Sequence, residues 1–177
     1  VTRVDGNVLY ELDDKRALDY YQHYLGDHLT PSAEYPLAVF EDDSEHSYLR
    51  APLAYDPVDG SISFASEIPE GARVRMSEAT REEIVAASRE AVKDAIRGFP
   101  HGDPELALIF SCAGRKHILG TRTQEETQIL RQLLPRDTPF CGFYGYGEIA
   151  PSKLSGTSCF HNETFITLLL GTAASEG

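Results

Sequence analysis

The sequence predicts an α+β fold: a mostly antiparallel, partly mixed multi-stranded sheet with three main helices packed on it. Short apolar segments bounded by turn residues predict about seven to nine strands. Three longer segments carry apolar residues at helical spacing and predict the helices. The length of 177 residues fits a single domain with a buried core, spanning residues 1–177.

Each strand is predicted from its apolar pattern and its flanking turns. Asp5-Gly6 predicts a tight hairpin turn between two short strands near the N-terminus, because glycine supplies the positive φ. The continuous apolar segment Leu106–Phe110 predicts a buried central strand. The acidic segment 42–45 lacks the spacing of a calcium loop and is interpreted as a solvated turn. Further strands are predicted over Pro36–Glu41, Ser47–Tyr55, Ser61–Ala65, Arg73–Ser77, Phe140–Tyr146 and Thr164–Leu170.

Start and stop signals define the helices. A first helix is predicted over Lys15–Leu25, with Asp13 or Asp14 as its cap and Gly26 at its end. The longest runs over Arg81–Phe99 and opens with a capping box of Thr80 and Glu83. A second box, Thr123 with Glu126, opens a third helix that Pro135 stops and whose apolar face is Ile129, Leu130, Leu133 and Leu134. A short helix or turn is expected over Arg115–Leu119.

Composition excludes several classes of partner. The formal charge of −12 would repel nucleic acid and anionic membrane surfaces, so neither is expected as a partner. No apolar segment is long enough to span a membrane, and the start does not resemble a signal peptide. The three cysteines are interpreted as reduced thiols of a cytoplasmic protein, with Cys112 and Cys141 buried and Cys159 more exposed.

The last quarter of the chain carries the main candidate site. Glycine alternates with aromatic residues along the strand Phe140–Tyr146, and glycine inside a strand indicates a bulge or the close approach of a ligand or another backbone. A polar loop is predicted over Ala150–Ser158. We expect Glu148, His161 and Asn162 to lie near a common rim beside it.

Several motifs together resemble the C-terminal half of the FIST domain, the FIST_C module, from about Ala17 onward. They are LRAP (Leu49–Pro52), IPEGARVRM (Ile68–Met76), FSCAGRKHILG (Phe110–Gly120), GFYGYGEIAP (Gly142–Pro151) and FHNETFITLLLG (Phe160–Gly171). The resemblance implies an intracellular sensory domain that binds small ligands, amino acids among them, and lies beside signalling output domains. Because the chain begins Val-Thr-Arg and lacks the N-terminal half, we interpret it as a domain excised from a longer signalling protein.

The glycine-aromatic strand and this resemblance together suggest an amino acid pocket. Arg115 and the backbone of residues 111–114 would bind the ligand carboxylate, and Glu148 would bind its ammonium. The full candidate set is Arg50, Cys112, Arg115, Gly142, Tyr144, Tyr146, Glu148, His161, Asn162 and Thr164, with Phe143 as a further wall. The structural alternative is that Glu148 and Arg115 pair with each other, or with Arg50 and Asn162, to hold the loop.

Two other function classes stay open. A hydrolase would use Cys112 or Cys159 as nucleophile and His161 as base, but the spacing matches no cysteine hydrolase signature. A metal site of His161, Glu148 and His117 lacks paired ligand spacing, so no catalytic residue, metal or cofactor is expected. The nine tyrosines also suit a protein interaction module. Homodimer formation is kept as an expectation on general grounds.

Overall fold

A computed structural model describes residues 1–26, 28, 30–40, 46–100, 102–152 and 156–172. The chain forms two compact units. Unit 1 comprises Val1–Glu78 and Ile149–Glu163, and unit 2 comprises Ala79–Glu148 and Thr164–Gly177. The described residues contain thirteen strands, divided among four sheets, together with α-helices. The predicted α+β class is confirmed, with more strands and shorter sheets than the sequence indicated.

Unit 1 is built mainly from antiparallel strands. It contains β1 (Arg3–Asp5), β2 (Val8–Leu12), β3 (Lys15–Arg16), α1 (Ala17–Leu25), β4 (Leu37–Phe40), β5 (Ser47–Arg50), β6 (Pro52–Tyr55), β7 (Ile62–Phe64), β8 (Arg73–Met76), most of β11 (Glu148–Pro151) and β12 (Ser158–His161). One sheet has the order β1-β2-β7-β6 with β3 on β2, another β5-β4-β8, and β11 pairs with β12. Its core centres on Leu9, Tyr21, Leu37, Ile62 and Phe64.

The predicted hairpin at Asp5-Gly6 is present, and Gly6 has a φ of 57°. The predicted caps of α1 are wrong. Asp13 and Asp14 both have positive φ, of 51° and 61°, because they form a tight turn between β2 and β3. The helix therefore begins after this extra strand, and it ends at Gly26 as expected.

The predicted strand Ser47–Tyr55 is two strands in two different sheets. The break lies at Ala51, whose N–H leaves the sheet and donates to the side-chain oxygen of Asn162 (3.4 Å). Pro52 follows and has no N–H to donate, which suits the first position of β6. The predicted acidic turn at residues 42–45 and the last residue of the predicted strand Pro36–Glu41 lie outside the described residues.

Unit 2 packs helices on one face of a three-stranded sheet. Its elements are α2 (Arg81–Gly98), β9 (Leu106–Cys112), α3 (Ala113–Leu119), α4 (Gln124–Leu133), β10 (Phe140–Gly145) and β13 (Phe165–Leu170). As predicted, β9 is central, with β10 parallel to it and β13 antiparallel. Side chains from α2, α4 and the sheet form the core, among them Val92, Ala107, Ile129, Leu130 and Phe165.

The two predicted capping boxes have different outcomes. Thr80 and Glu83 form the expected reciprocal box at the start of α2. The box of Thr123 and Glu126 is wrong, because Thr123 ends a short 3-10 helix and makes no side-chain cap. Glu126 instead turns inward and is 3% exposed. Likewise the predicted loop Ala150–Ser158 is shorter, since both its ends belong to the paired strands β11 and β12.

Candidate functional site

A buried ion pair lies beneath the sheet of unit 2. Arg115 of α3 and Glu126 of α4 are both 3% exposed, and Arg115 Nη2 lies 2.8 Å from Glu126 Oε1. Arg115 also donates to the backbone oxygen of Ile84 (3.0 Å), and the Ser88 hydroxyl donates to Glu126 Oε1 (2.9 Å). Three helices thus hold one charged network together. The carboxylate that Arg115 binds in this network is Glu126, a partner that the sequence analysis did not name.

Sequence reasoning missed Glu126 and Ser88, although a signal for both was present. Glu126 precedes Ile129 and Leu130 by three and four residues, which places it on the apolar face of α4. Ser88 is the one hydroxyl in the apolar stripe of α2, and it is fully buried. A polar residue at a core position of each of two helices predicts a buried polar contact between them, because such groups need partners.

Tyr144 extends this network to the edge of the sheet. Its hydroxyl donates to Glu126 Oε2 (3.0 Å), so both oxygens of the carboxylate accept hydrogen bonds. Partial burial, reinforced by the negative charge of Glu126, raises the pKa of the Tyr144 phenol to about 12. The phenol therefore keeps its proton at neutral pH. Lys116 Nζ lies 5.3 Å from the centre of the Tyr144 ring.

A cavity of about 210 Å³ lies between the sheet and α4, wholly within unit 2. Aromatic and aliphatic side chains form most of its wall, with Glu126 and three hydroxyl groups among them. The lining residues are Ile109, Ser111, Glu126, Thr127, Leu130, Phe140, Cys141, Gly142, Phe143, Tyr144 and Phe165. Ser111 is 3% exposed, and its Oγ has no hydrogen-bond partner among the described residues. The cavity therefore holds an unused buried hydroxyl.

The first glycine of the GFYGYG motif, Gly142, is required by the close approach of a neighbouring backbone. Gly142 pairs with Ile109 in the parallel register, and a Cβ on Gly142 would overlap the carbonyl oxygen of Ile109. The close approach of another backbone was one of the expectations for this strand, and Gly142 also lines the cavity. Of the aromatic walls expected from the sequence, Phe143 and Tyr144 line the cavity, whereas Tyr146 is 77% exposed and does not.

Glu148 and Thr164 form a separate polar contact in unit 2. The Thr164 hydroxyl donates to Glu148 Oε2 (2.7 Å), whereas Glu148 Oε1 is buried and has no hydrogen-bond partner in the described part of the chain. Burial raises the pKa of the Glu148 carboxyl, and the Thr164 hydrogen bonds and the charge of Arg115 oppose that rise. Glu148 thus differs from Glu126, which has a cation beside it.

The remaining predicted residues belong to unit 1 and have partners there. Arg50 is 8% exposed and donates to the backbone oxygens of Glu67 (2.9 Å), Leu49 (3.1 Å) and Phe160 (3.3 Å). Asn162 accepts from the backbone of Ala51, and His161 Nε2 lies 3.1 Å from the Ala150 oxygen. The structure thus assigns Glu148 to one unit and His161 and Asn162 to the other. Their roles as ligand residues stay a prediction.

The cysteines are all free thiols, but their exposure differs in part from the expectation. Cys112 is buried as predicted, and Cys159 is half-buried. Cys141 is exposed, because β10 is an edge strand. Cys159 Sγ points to the Thr157 oxygen (3.5 Å). No group of three or more His, Cys, Asp or Glu side chains suited to a metal ion occurs in the described ranges.

Comparison with known proteins gives one match. The family model of the FIST C domain matches residues 17–151, which is most of the chain and confirms the resemblance drawn from the motifs. No curated protein and no solved structure matches the sequence. Within the described residues, no helix has the length and apolar character needed to cross a membrane.

Proposed function

Because the chain belongs to the FIST C domain family, we propose that it is a non-catalytic sensory domain of the cytoplasm. It binds a small ligand in the cavity of unit 2 and passes the signal to an output domain of a longer protein. The ligand class implied by the sequence resemblance is an amino acid or a related small molecule.

The observation that carries this proposal is the set of polar groups that line the cavity. Ser111 Oγ is buried without a partner among the residues that the structure describes, and an unpaired buried hydroxyl costs about 1–3 kcal/mol. Glu126 and Tyr144 stand beside it in the same lining, already fixed by Arg115 and Ser88. A ligand that bonds to Ser111 removes this cost, and Glu126 and Tyr144 are already held in place by their own hydrogen bonds. Such preorganised polar groups in an apolar wall are typical of small-molecule sites.

The size of the cavity limits the ligand. At about 210 Å³ it is smaller than the roughly 300–1,000 Å³ of pockets for drug-sized molecules. A molecule of the size of an amino acid fits this limit, whereas a nucleotide or a peptide does not.

The position of the cavity between α4 and β10 supports a role in signalling. Thr127 and Leu130 of α4 form one side, and Phe140 to Tyr144 of β10 form another. A ligand in contact with both favours the arrangement in which α4 and the edge strand are held together. A change in the output domain then requires only that the ligand binds this state more tightly than any alternative.

A second candidate function is protein interaction through the edge strand. Phe143 is 65% exposed and Tyr146 is 77% exposed, and among the described strands β10 pairs on one side only. Exposed aromatic residues on an edge strand suit a partner that adds a strand to the sheet. Under this alternative the buried polar groups only fix the fold of unit 2.

Thermal unfolding of the full chain against a panel of amino acids, amines and small acids distinguishes the two functions. A ligand at a hundred times its dissociation constant adds about 2.7 kcal/mol, which raises the melting temperature by several degrees. Thr127 lines the cavity, so Thr127→Trp should occupy part of its volume and abolish the shift. Gln128→Trp, on the exposed side of the same helix, is the matched control and should retain it. A shift that survives Thr127→Trp would contradict the cavity as the ligand site.

A further inference from the structure

The charge and hydrogen-bonding capacity of the cavity restrict the chemical class of its ligand beyond its size. This step rests on the proposed function, because it concerns the same cavity. Among the described residues that line it, Glu126 is the charged one, and Arg115 and Lys116 are not part of the lining. Arg115 balances the charge of Glu126 from outside the lining, so a ligand carboxylate or phosphate would meet a carboxylate oxygen and no cation in the lining itself.

Three polar groups of the cavity offer acceptor oxygens. Glu126 Oε2 accepts from Tyr144, and a carboxylate oxygen has room for a second hydrogen bond. The Tyr144 hydroxyl uses its hydrogen to donate to Glu126, so the lone pairs of its oxygen remain for another donor. Ser111 Oγ, which lacks a partner, accepts equally well. A primary ammonium carries three N–H donors, which matches these three oxygens.

The apolar part of the lining also favours a cation. Four aromatic side chains contribute to it, and ring faces attract cations. Phe165 and Tyr144 already have a cation of the chain beside them, Arg115 at 5.7 Å and Lys116 Nζ at 5.3 Å from the ring centres, so Phe140 and Phe143 are the rings left for a ligand cation. The overall charge of −12 raises the local concentration of cations around the protein.

We propose that the cavity of unit 2 binds a small primary amine with an apolar body, through an ammonium held by Glu126, Tyr144 and Ser111. The corresponding amino acid should bind less well, because it carries a carboxylate that the lining does not accommodate. The apolar body lies against Ile109, Leu130 and Phe140.

Lys116 provides a test of the sign of the ligand charge. Its ammonium lies beside the ring of Tyr144 and outside the lining, so it repels a cationic ligand and attracts an anionic one. Lys116→Met should therefore tighten binding of an amine by roughly two- to fivefold, the range of an exposed charge interaction. For an acid the same change should weaken binding.

Three probes with one branched apolar body separate the ligand classes: 3-methylbutylamine, leucine and 4-methylpentanoate. We expect the amine to bind most tightly and to shift the backbone amide resonances of Ser111, Thr127 and Gly142, with those of Gly6 and Gly60 in unit 1 unchanged. Ser111→Ala should weaken the amine about tenfold, since a hydrogen bond to a charged group is lost, and it leaves no new buried group unpaired.

Several results would overturn the proposal. Tighter binding of leucine or 4-methylpentanoate, weaker amine binding in Lys116→Met, or no shift of the cavity resonances each contradicts an amine ligand. The proposed function fails separately, because it requires only that some panel compound stabilises the chain and that Thr127→Trp abolishes the effect. If a compound of another chemical class stabilises the chain, the proposed sensory function is supported but the proposal of an amine ligand is contradicted.

Discussion

Each unit of the chain buries one arginine, and the two arginines have different partners. Arg50 of unit 1 donates to three backbone carbonyl oxygens, which belong to three segments of that unit. Arg115 of unit 2 binds the carboxylate of Glu126, next to a cavity with an unpaired hydroxyl. Both arginines are buried, but of the two only Arg115 binds a carboxylate that lines a cavity.

The partner of a buried arginine separates a structural residue from one that supports a site. Carbonyl oxygens satisfy a guanidinium without presenting a carboxylate to a cavity, and the hydrogen bonds of Arg50 to such oxygens join backbone segments of its unit. A carboxylate fixed by Arg115 keeps acceptor capacity on its second oxygen. The candidate ligand-binding side chain in unit 2 is therefore Glu126, the partner of Arg115. Sequence reasoning had assigned Glu126 to a helix cap.

The largest expected effect on stability comes from breaking the ion pair of unit 2. Arg115→Met leaves Glu126 buried without its cation, which should cost about 3–5 kcal/mol of unfolding free energy. Chemical denaturation of the full chain measures this loss. The double variant Arg115→Met with Glu126→Leu should recover much of it, because no uncompensated charge remains. A double variant as unstable as the single one would show that packing, and not charge, makes Arg115 important.

A smaller loss is expected for the corresponding change in unit 1. Arg50→Met removes three hydrogen bonds to carbonyl oxygens but leaves no buried charge behind, so we expect a loss of about 2 kcal/mol. Arg75→Met is the matched control, since Arg75 is exposed and its guanidinium lies over the ring of Phe40. It should change stability by less than about 0.5 kcal/mol. An Arg50 loss as large as that of Arg115 would remove the distinction between the two arginines.

Of the three buried charged residues compared, Glu148 should show the smallest change, and within the described part of the chain its carboxylate forms no ion pair. Its folded pKa is raised, so the folded state binds the proton more tightly, and stability rises as the pH falls from neutral through that pKa toward about 4.5. Glu148→Gln should abolish this part of the pH dependence and alter stability at pH 7 by less than about 1 kcal/mol. Glu126→Gln, which leaves Arg115 without its anion, should be clearly more destabilising. Unfolding curves between pH 4 and pH 8 provide the comparison, and an unchanged slope in Glu148→Gln would contradict the raised pKa.

Much of the fold was predictable because its signals are local. The hairpin at Gly6, the capping box of α2 and the central strand β9 each follow from a few neighbouring residues. Asp13 and Asp14 were misinterpreted because Asp favours both helix caps and positive-φ turns, and tertiary pairing decides between them. The break at Ala51 depends on Asn162, more than a hundred residues away, and no local pattern reports it.

The candidate site was predicted only in part for a related reason. The glycine-aromatic strand indicated the right region, and Gly142 and Tyr144 line the cavity. Glu126 was assigned to a cap from its spacing to Thr123, although its spacing to Ile129 and Leu130 also placed it on the buried face. Two local patterns competed for one residue, and the burial of the helix face determined the outcome. The pairing of Glu126 with Arg115 is a tertiary contact that spacing does not reveal.

The most direct test of the cavity as a ligand site is a comparison of two neighbouring tyrosines. The panel compound with the largest thermal shift is titrated calorimetrically into the wild-type chain, Tyr144→Phe and Tyr146→Phe. Tyr144→Phe should weaken binding about tenfold, because it removes the hydroxyl bound to Glu126 at the cavity wall. Tyr146→Phe should bind as the wild type does, since Tyr146 is outside the lining. Wild-type affinity in Tyr144→Phe, or a loss confined to Tyr146→Phe, would contradict the cavity as the ligand site. A loss confined to Tyr146→Phe would indicate binding at the exposed strand edge.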